Sequence, residues 1–198
     1  MNKKFAIPFG ITLAGVVLMI IMLFLPYASA TSEYKEVLNQ NKEGIFAQEI
    51  GMTNADAVHI SLVKYARIYA AGAKSLEAVK AVAIMGIIII SAYALFAVLT
   101  LLMTILKKSI AVIVFDILTL LDFWLIRFDF SDRGVIPSSR YGWGIASYLP
   151  YFLGVVVLAG AIWMLVEKKK MKENSLLFGG FFALREDDLI HKEEDDHG

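Results

Sequence analysis

The chain has 198 residues, of which 58% are hydrophobic and 19% are charged. Soluble domains have roughly 45–50% apolar and about 25% charged residues, so this composition favours a membrane protein and excludes disorder over most of the chain. The 19 basic residues balance the 19 acidic ones, so no overall positive charge indicates a nucleic-acid partner. Cysteine is absent, which excludes disulfide scaffolds, thiol nucleophiles and cysteine metal sites.

Four apolar segments indicate the fold class, and they cover residues 5–25, 81–106, 110–126 and 148–166. Each is close to the ~20 residues that a helix needs to cross a hydrocarbon core of ~30 Å. None alternates with a period of two, which argues against a β-barrel. We therefore expect an all-α integral membrane protein, a four-helix transmembrane bundle with a helical extracytoplasmic cap.

The apolar segments also predict how the chain is divided. The expected parts are a first transmembrane helix within residues 1–30, an extracytoplasmic helical segment over 31–80, a hairpin of the second and third transmembrane helices over 81–126, a second extracytoplasmic loop over 127–147, a fourth transmembrane helix over 148–166 and a cytoplasmic tail over 167–198. The run Ala28-Ser29-Ala30 has the small residues of a signal-peptide cleavage site. The preceding apolar run is longer than the roughly 7–15 residues of a signal core, so we expect an uncleaved helix.

Basic residues next to the span ends predict the orientation. With four spans, the lysines that flank them lie on one side of the membrane: Lys3, Lys4, Lys107, Lys108, Lys168, Lys169, Lys170 and Lys172. The positive-inside rule makes that side cytoplasmic. We expect an N-in, C-in protein of a cell membrane, and the Lys-rich start favours a bacterial plasma membrane.

The first outer segment is predicted to be mainly helical. Residues 32–40 predict a short helix, residues 45–50 fit a helical turn or a strand, and Thr53 with Asp56 forms a capping-box pattern. After that box an apolar stripe recurs at helical spacing, through Val58, Leu62, Tyr65, Ala66, Tyr69 and Ala73. Two interpretations of this stripe stand: it packs within the cap, or it docks a partner or the membrane surface through Val58, Leu62, Tyr65 and Tyr69.

The second outer loop and the tail carry further candidate contacts. The alternation Phe128-Asp129-Phe130 predicts a half-buried extended segment, and Arg133 and Arg140 are expected to pair with the neighbouring aspartates 129 and 132. In the tail, an apolar stretch over residues 176–184 is too short to span a membrane. We expect it to lie in the membrane interface or to bind another chain, through Phe178, Phe181 and Phe182.

Two aspartates inside the third span are the strongest candidate site. A charged aspartate near the bilayer centre costs about 2.5–3.5 kcal/mol on insertion scales, so such residues usually face protein or water. Asp116 and Asp122 are six residues apart, which separates them by roughly 120° and ~9 Å along a helix. They therefore predict two separate polar layers, Asp116 with Thr12 and Thr100, and Asp122 with Ser91, Tyr93 and Tyr151.

These two layers have two main interpretations. Either the carboxyl groups are structural hydrogen-bonding groups between helices, or they are stations on a proton or cation path. A third possibility is pairing with a basic residue of a partner subunit. No phosphate-binding loop, nucleophile elbow, metalloprotease motif or dinucleotide-binding glycine pattern occurs, and the spans contain no histidine.

The sequence thus predicts a non-enzymatic, multi-pass membrane protein without a cofactor, a metal site or an identified small-molecule substrate. Small residues such as Gly10, Ala14, Gly86, Gly154 and Gly160 permit close helix approach. We expect an accessory or assembly subunit that binds other membrane proteins or itself. The alternative is a small oligomeric channel or transporter that passes protons or cations along the intramembrane carboxyls.

Overall fold

The computed structural model describes residues 3–75, 77 and 80–195, with side chains for residues 5–74, 77 and 80–173. Twelve helices and strands follow one another in this part of the chain: α1 (Lys3–Ile21), β1 (Pro26–Ala30), α2 (Ser32–Gln40), β2 (Ile45–Ala47), β3 (Met52–Thr53), α3 (Asn54–Ala57), β4 (His59–Ser61), α4 (Leu62–Ser75), α5 (Lys80–Ile105), α6 (Ser109–Asp132), β5 (Tyr141–Trp143) and α7 (Leu149–Asp195). Short 3-10 turns cover Met22–Phe24, Gln48–Ile50 and Ile145–Ser147.

The four predicted spans are confirmed as helices that are long and apolar enough to cross a membrane. The candidate spans are Phe5–Phe24, Lys80–Ile105, Ser109–Asp132 and Leu149–Glu173. In the bundle α1 packs on α7 and α5, and α6 packs on α5 and α7. Large apolar side chains are exposed on the outward faces of all four helices, as expected where hydrocarbon rather than water surrounds them.

Close approach of the helices depends on small residues. A Cβ atom added at Gly15 would lie 2.7 Å from Cγ2 of Val157, and one added at Gly154 would lie 2.5 Å from Cδ2 of Leu120.

The buried residues of α6 recur every three or four positions and so form one inward stripe: Ser109, Val112, Asp116, Thr119, Phe123, Ile126 and Phe130.

At one end of the bundle the two long connections fold together into what we call the end module, residues 26–75 and 133–148. Its centre is a three-stranded antiparallel sheet with the order β4-β1-β5, so that β1 joins the first connection to the second. Strands β2 and β3 form a separate antiparallel pair. The three-stranded sheet was not expected, and the molecule is mostly helical rather than all-α.

The strands were missed for a physical reason. Strands β1, β4 and β5 have three to five residues each, too few for a period of two to be recognised. Their hydrogen-bonding partners also lie far apart in the chain, as with the amide of Ala30, which donates to the carbonyl of Val58 over 2.9 Å. Long-range pairing of this kind outweighs local propensity.

Three predicted boundaries are corrected by the structure. The first helix ends at Ile21, and residues 26–30, which were assigned to it, form strand β1. The amphipathic helix begins at Leu62 rather than before Val58, because strand β4 separates α3 from α4. Helix α6 continues to Asp132, so the predicted extended segment at 128–130 is helical, with Phe130 at the next position of the buried stripe.

Other local predictions are confirmed. Residues 32–40 form helix α2, with Thr31 as its N-cap. The Thr53–Asp56 capping box is present at the start of α3. Residues 45–50, which were left undecided, contain both a strand and a 3-10 turn. Helix α7 runs through the predicted tail as far as Asp195, while the side chains of Phe178, Phe181 and Phe182 lie outside the described residues.

Candidate functional site

Asp116 is the most unusual residue of the bundle. It lies on the buried stripe of α6 and is fully enclosed. Neither of its carboxyl oxygens has a hydrogen-bond partner, and it takes part in none of the ion pairs of the described residues. Buried polar groups in proteins almost always have partners. A carboxyl left in this state therefore requires a specific explanation.

The threonines predicted to lie level with Asp116 do not satisfy it. Thr12 donates its hydroxyl hydrogen to the carbonyl of Pro8 over 2.8 Å, and Thr100 donates to that of Phe96 over 2.8 Å. Thr104 does the same within α5. A helix always offers a threonine the carbonyl four residues earlier, and here that local bond replaces the expected bond across helices. The predicted hydrogen-bonded layer around Asp116 is therefore wrong.

Asp122 occupies a different position, on the flank of α6. Its residue is partly exposed, yet its Oδ2 atom is buried and has no hydrogen-bond partner. Helix geometry turns it away from the buried stripe, towards the strip occupied by Leu118 and Leu125, four residues before it and three after it. The two aspartates therefore lie in separate environments, one enclosed and one at the surface of the bundle.

The residues predicted around Asp122 have other roles. Ser91 is exposed on α5. Tyr93 is fully buried, and its hydroxyl donates to the carbonyl of Met19 over 3.0 Å, which joins α5 to α1. The ring of Tyr151 packs against Phe123 with centroids 5.1 Å apart. The predicted second layer is thus not formed by hydrogen bonds to Asp122.

The predicted docking stripe is internal. Val58, Leu62 and Tyr65 are buried in the core that joins the end module to the bundle, and Tyr69 packs against that core. The ring of Tyr65 lies 4.8 Å from that of Phe130. Burial also raises the pKa of Tyr65 above its ordinary value. These side chains pack at the C-terminal end of α6, which fits the packing interpretation of the stripe.

Arginine contacts in the second connection were only partly predicted. Arg133 pairs with Asp129 as expected, and it also donates to the hydroxyl of Tyr69 over 3.0 Å. Arg140 lies over the ring of Tyr34 at 5.4 Å instead of pairing with an aspartate. Spacing alone gives no signal for such cation–π contacts between distant segments.

Arg127 was not singled out by the sequence, although it fixes the start of α7. Its guanidinium lies 4.4 Å from the ring of Trp143 and 4.9 Å from that of Tyr148, and it donates to the carbonyl of Ser147 over 3.1 Å. The available signal was the pair of aromatic residues Trp143 and Tyr148 just before α7.

The described residues contain no group of three or more His, Asp or Glu side chains placed to hold a metal ion. Asp56 pairs with Lys64 over 3.0 Å, and Nδ1 of His59 lies 3.1 Å from the hydroxyl of Ser29. The hydrogen bond from Lys64, followed by those from Thr53, lowers the pKa of Asp56 below its ordinary value. These contacts connect α3 with strand β4 and the start of α4.

A groove of about 630 Å³ lies at the opposite end of the bundle, where α6 begins. It is lined by Lys108, Ser109, Ile110, Ala111, Val114, Phe115, Leu165 and Lys168. We call this end the basic end, for Lys107, Lys108 and Lys168. The second cavity, of about 370 Å³, lies between the 3-10 turn at 48–50 and α4 and is polar, with Glu49, Arg67 and Lys74 in its wall.

The chain matches no known protein family, and it has no significant similarity to a curated protein or to a solved structure.

Proposed function

We propose that this protein is a non-catalytic membrane subunit that assembles laterally with another membrane protein or with a second copy of itself. One observation carries the proposal: Asp122 lies on the partly exposed flank of α6, and it takes part in none of the ion pairs of the described residues. In the proposed arrangement the bundle is inserted with its basic end in the cytoplasm, so that Asp122 lies at the depth of the hydrocarbon.

The energetic argument compares the isolated bundle with an assembled one. Lipid offers a surface carboxyl no hydrogen-bond donor, and the cost of an ionised aspartate at this depth is about 2.5–3.5 kcal/mol. A hydroxyl, amide or basic side chain from a neighbouring helix supplies the missing donor. Interhelical hydrogen bonds of this kind contribute about 1–2 kcal/mol to association in model peptides.

The surroundings of Asp122 support contact with another helix. Leu125 is exposed beside it, and Leu121 and Trp124 continue the apolar surface of α6. A partner helix that packs along this strip would bury apolar area on both sides of a single polar contact. We call residues 118, 121, 122 and 125 the α6 flank.

Copurification from native membranes tests the proposal. The full chain with an affinity tag is extracted in mild detergent, and the mass and composition of the complex are compared for the wild type, Asp122→Leu and Asp122→Asn. We expect the amount of partner recovered with Asp122→Leu to fall roughly 5- to 30-fold. Asp122→Asn keeps a hydrogen-bond donor and an acceptor, so it should retain most of the partner. Asp116→Asn is the matched control, since that enclosed residue cannot reach a partner.

The alternative function, a small channel or transporter, has less support. Asp116 is enclosed, and the threonines expected near it donate to their own helices. Thr119, which lies between the two carboxyls on α6, likewise donates to the carbonyl of Phe115 in its own helix. Proton flux into proteoliposomes that falls with Asp116→Asn would favour the channel over the subunit.

A further inference from the structure

We propose that the groove at the basic end binds one anionic phospholipid, with its phosphate at the start of α6 and its acyl chains along the apolar wall. This inference goes beyond lateral assembly, because it concerns a different surface and a different ligand. Three observations support it: an unpartnered buried hydroxyl, a group of cations and an elongated apolar wall.

The unpartnered hydroxyl belongs to Ser109. This residue is 3% exposed, its Oγ atom has no hydrogen-bond partner, and it lines the groove. Most buried hydroxyl groups in proteins find a partner, and an unsatisfied one costs about 1–3 kcal/mol. A phosphate oxygen in the groove would accept its hydrogen.

The start of α6 presents further donors at the same place. Helix α6 has 24 residues, and its N-cap residue Lys108 makes no side-chain capping bond. The first amides of a helix have no partner within it and attract anions. The amides of Ser109, Ile110 and Ala111 begin this helix, and all three residues line the groove.

Lysine charges surround that position. Lys108 and Lys168 both line the groove. The ammonium group of Lys168 donates to the carbonyl of Lys107, which holds it against the start of α6. The nearest carboxylate along α7 is Glu167, and it is paired with Lys170. The net charge at this end of the groove is therefore positive.

The rest of the wall is apolar, which favours a lipid over a free phosphate ion. Four apolar residues line the groove: Ile110, Val114, Phe115 and Leu165. Residues 108–115 give the groove a length of about 10 Å along α6. A volume of about 630 Å³ lies within the usual range of ligand sites. A small hydrated anion would leave this wall empty, whereas acyl chains would cover it.

Native mass spectrometry of the full chain tests the assignment, with phosphatidylglycerol and phosphatidylcholine supplied in equal amounts in mixed micelles. We expect one retained phosphatidylglycerol and no equivalent retention of phosphatidylcholine. Lys108→Ala and Lys168→Ala should each weaken the retention of phosphatidylglycerol about fivefold, and the double variant combines both losses. Ser109→Ala should weaken the retention as well. The exposed Lys169, changed to Ala, is the matched control and should have no effect.

Two further arms separate the possible sources of the phosphate. Val114→Trp places a larger side chain in the groove and should exclude phosphatidylglycerol. Circular dichroism should show that this variant keeps its fold. Inorganic phosphate at millimolar concentration should not displace the lipid. Retention of both lipids alike, or retention unchanged in the double lysine variant, would overturn the proposal. Displacement by inorganic phosphate would also overturn it and indicate a small-anion site.

Discussion

The hydroxyl of Tyr141 donates a hydrogen bond of 2.8 Å to the carbonyl oxygen of Ala57, a residue 84 positions earlier in the chain. This buried contact joins the second connection to the first, beside the pairing of strands β5 and β1. Burial raises the pKa of Tyr141, so the phenol remains a neutral donor at physiological pH. The end module is therefore held together by residues from both connections, rather than being two independent loops.

Replacing Tyr141 by Phe removes this donor and leaves a buried carbonyl unsatisfied. We expect the free energy of unfolding to fall by about 1–3 kcal/mol, because the lost partner cannot be replaced by water. Thermal unfolding of the purified full chain in detergent provides the measurement. The exposed Tyr148, changed to Phe, should leave the midpoint unchanged. Equal midpoints for Tyr141→Phe and the wild type would contradict the account of the end module.

Two glycines in the second connection form a matched pair. A Cβ atom at Gly144 would overlap the carbonyl of Pro26, whereas one at Gly142 would meet nothing within 4 Å. Gly144→Ala should therefore destabilise the protein by about 1–3 kcal/mol. We expect the upper end of this range, because the overlapped atoms belong to the backbone of Pro26, which cannot shift as easily as a side chain. Gly142→Ala should be close to neutral. A similar loss for both variants would show that the sheet does not bring β1 and the 3-10 turn at 145–147 together.

Acid should weaken the contact between Asp56 of α3 and Lys64 of α4. The hydrogen bond from Lys64 holds the pKa of Asp56 below its ordinary value of 3.8, so the folded state binds this proton less readily than the unfolded state. The resulting stabilisation is complete above the unfolded pKa and is lost as the pH falls through the lower, folded one. Because the carboxylate of Asp56 is nearly half exposed, the effect is small.

Unfolding midpoints measured between about pH 5 and about pH 2 check this prediction. Asp56→Asn and Lys64→Met should each reduce the drop in midpoint over that range, and the double variant should add nothing further. Additive effects of the two substitutions would mean that the two side chains do not interact in solution.

Asp116 should be replaceable by an apolar residue of similar size. Its carboxyl is enclosed without a partner, and an apolar side chain removes that unsatisfied group, so we expect Asp116→Val to leave stability unchanged or to raise it by about 1–2 kcal/mol. The thermal midpoint in detergent measures this effect. A marked loss of stability would mean that the carboxyl has an essential partner, such as an ordered water or an ion.

Some features of the fold could be predicted because they depend on local patterns. The four spans are identified by long apolar runs, of which only the third contains charged residues, Asp116 and Asp122. The capping box of Thr53 and Asp56 depends on residues three positions apart. The Arg133–Asp129 pair is similarly local, at a spacing of four residues on one helix. In each case the interacting groups lie within a single turn or helix.

The sheet and the site depended on contacts that no local pattern encodes. Strand β1 pairs with residues from two distant segments. The stripe through Leu62 and Tyr65 is apolar because α4 packs on α5 and its tyrosine rings contact Phe130 of α6. Matching helix depths placed Thr12 and Thr100 level with Asp116, but depth cannot tell whether a threonine bonds across helices or within its own. The environment of each aspartate therefore became clear only from the packed bundle.

Site-directed cross-linking along the α6 flank tests lateral assembly most directly. The chain contains no cysteine, so Leu125→Cys and Val155→Cys, exposed on α6 and α7 respectively, can each be labelled with a benzophenone maleimide in native membranes. We predict a discrete adduct, with one partner or a second copy, from position 125 and none from position 155. Adding Asp122→Leu should abolish it. An adduct that persists in this variant, or equal labelling from both helices, would contradict assembly through Asp122.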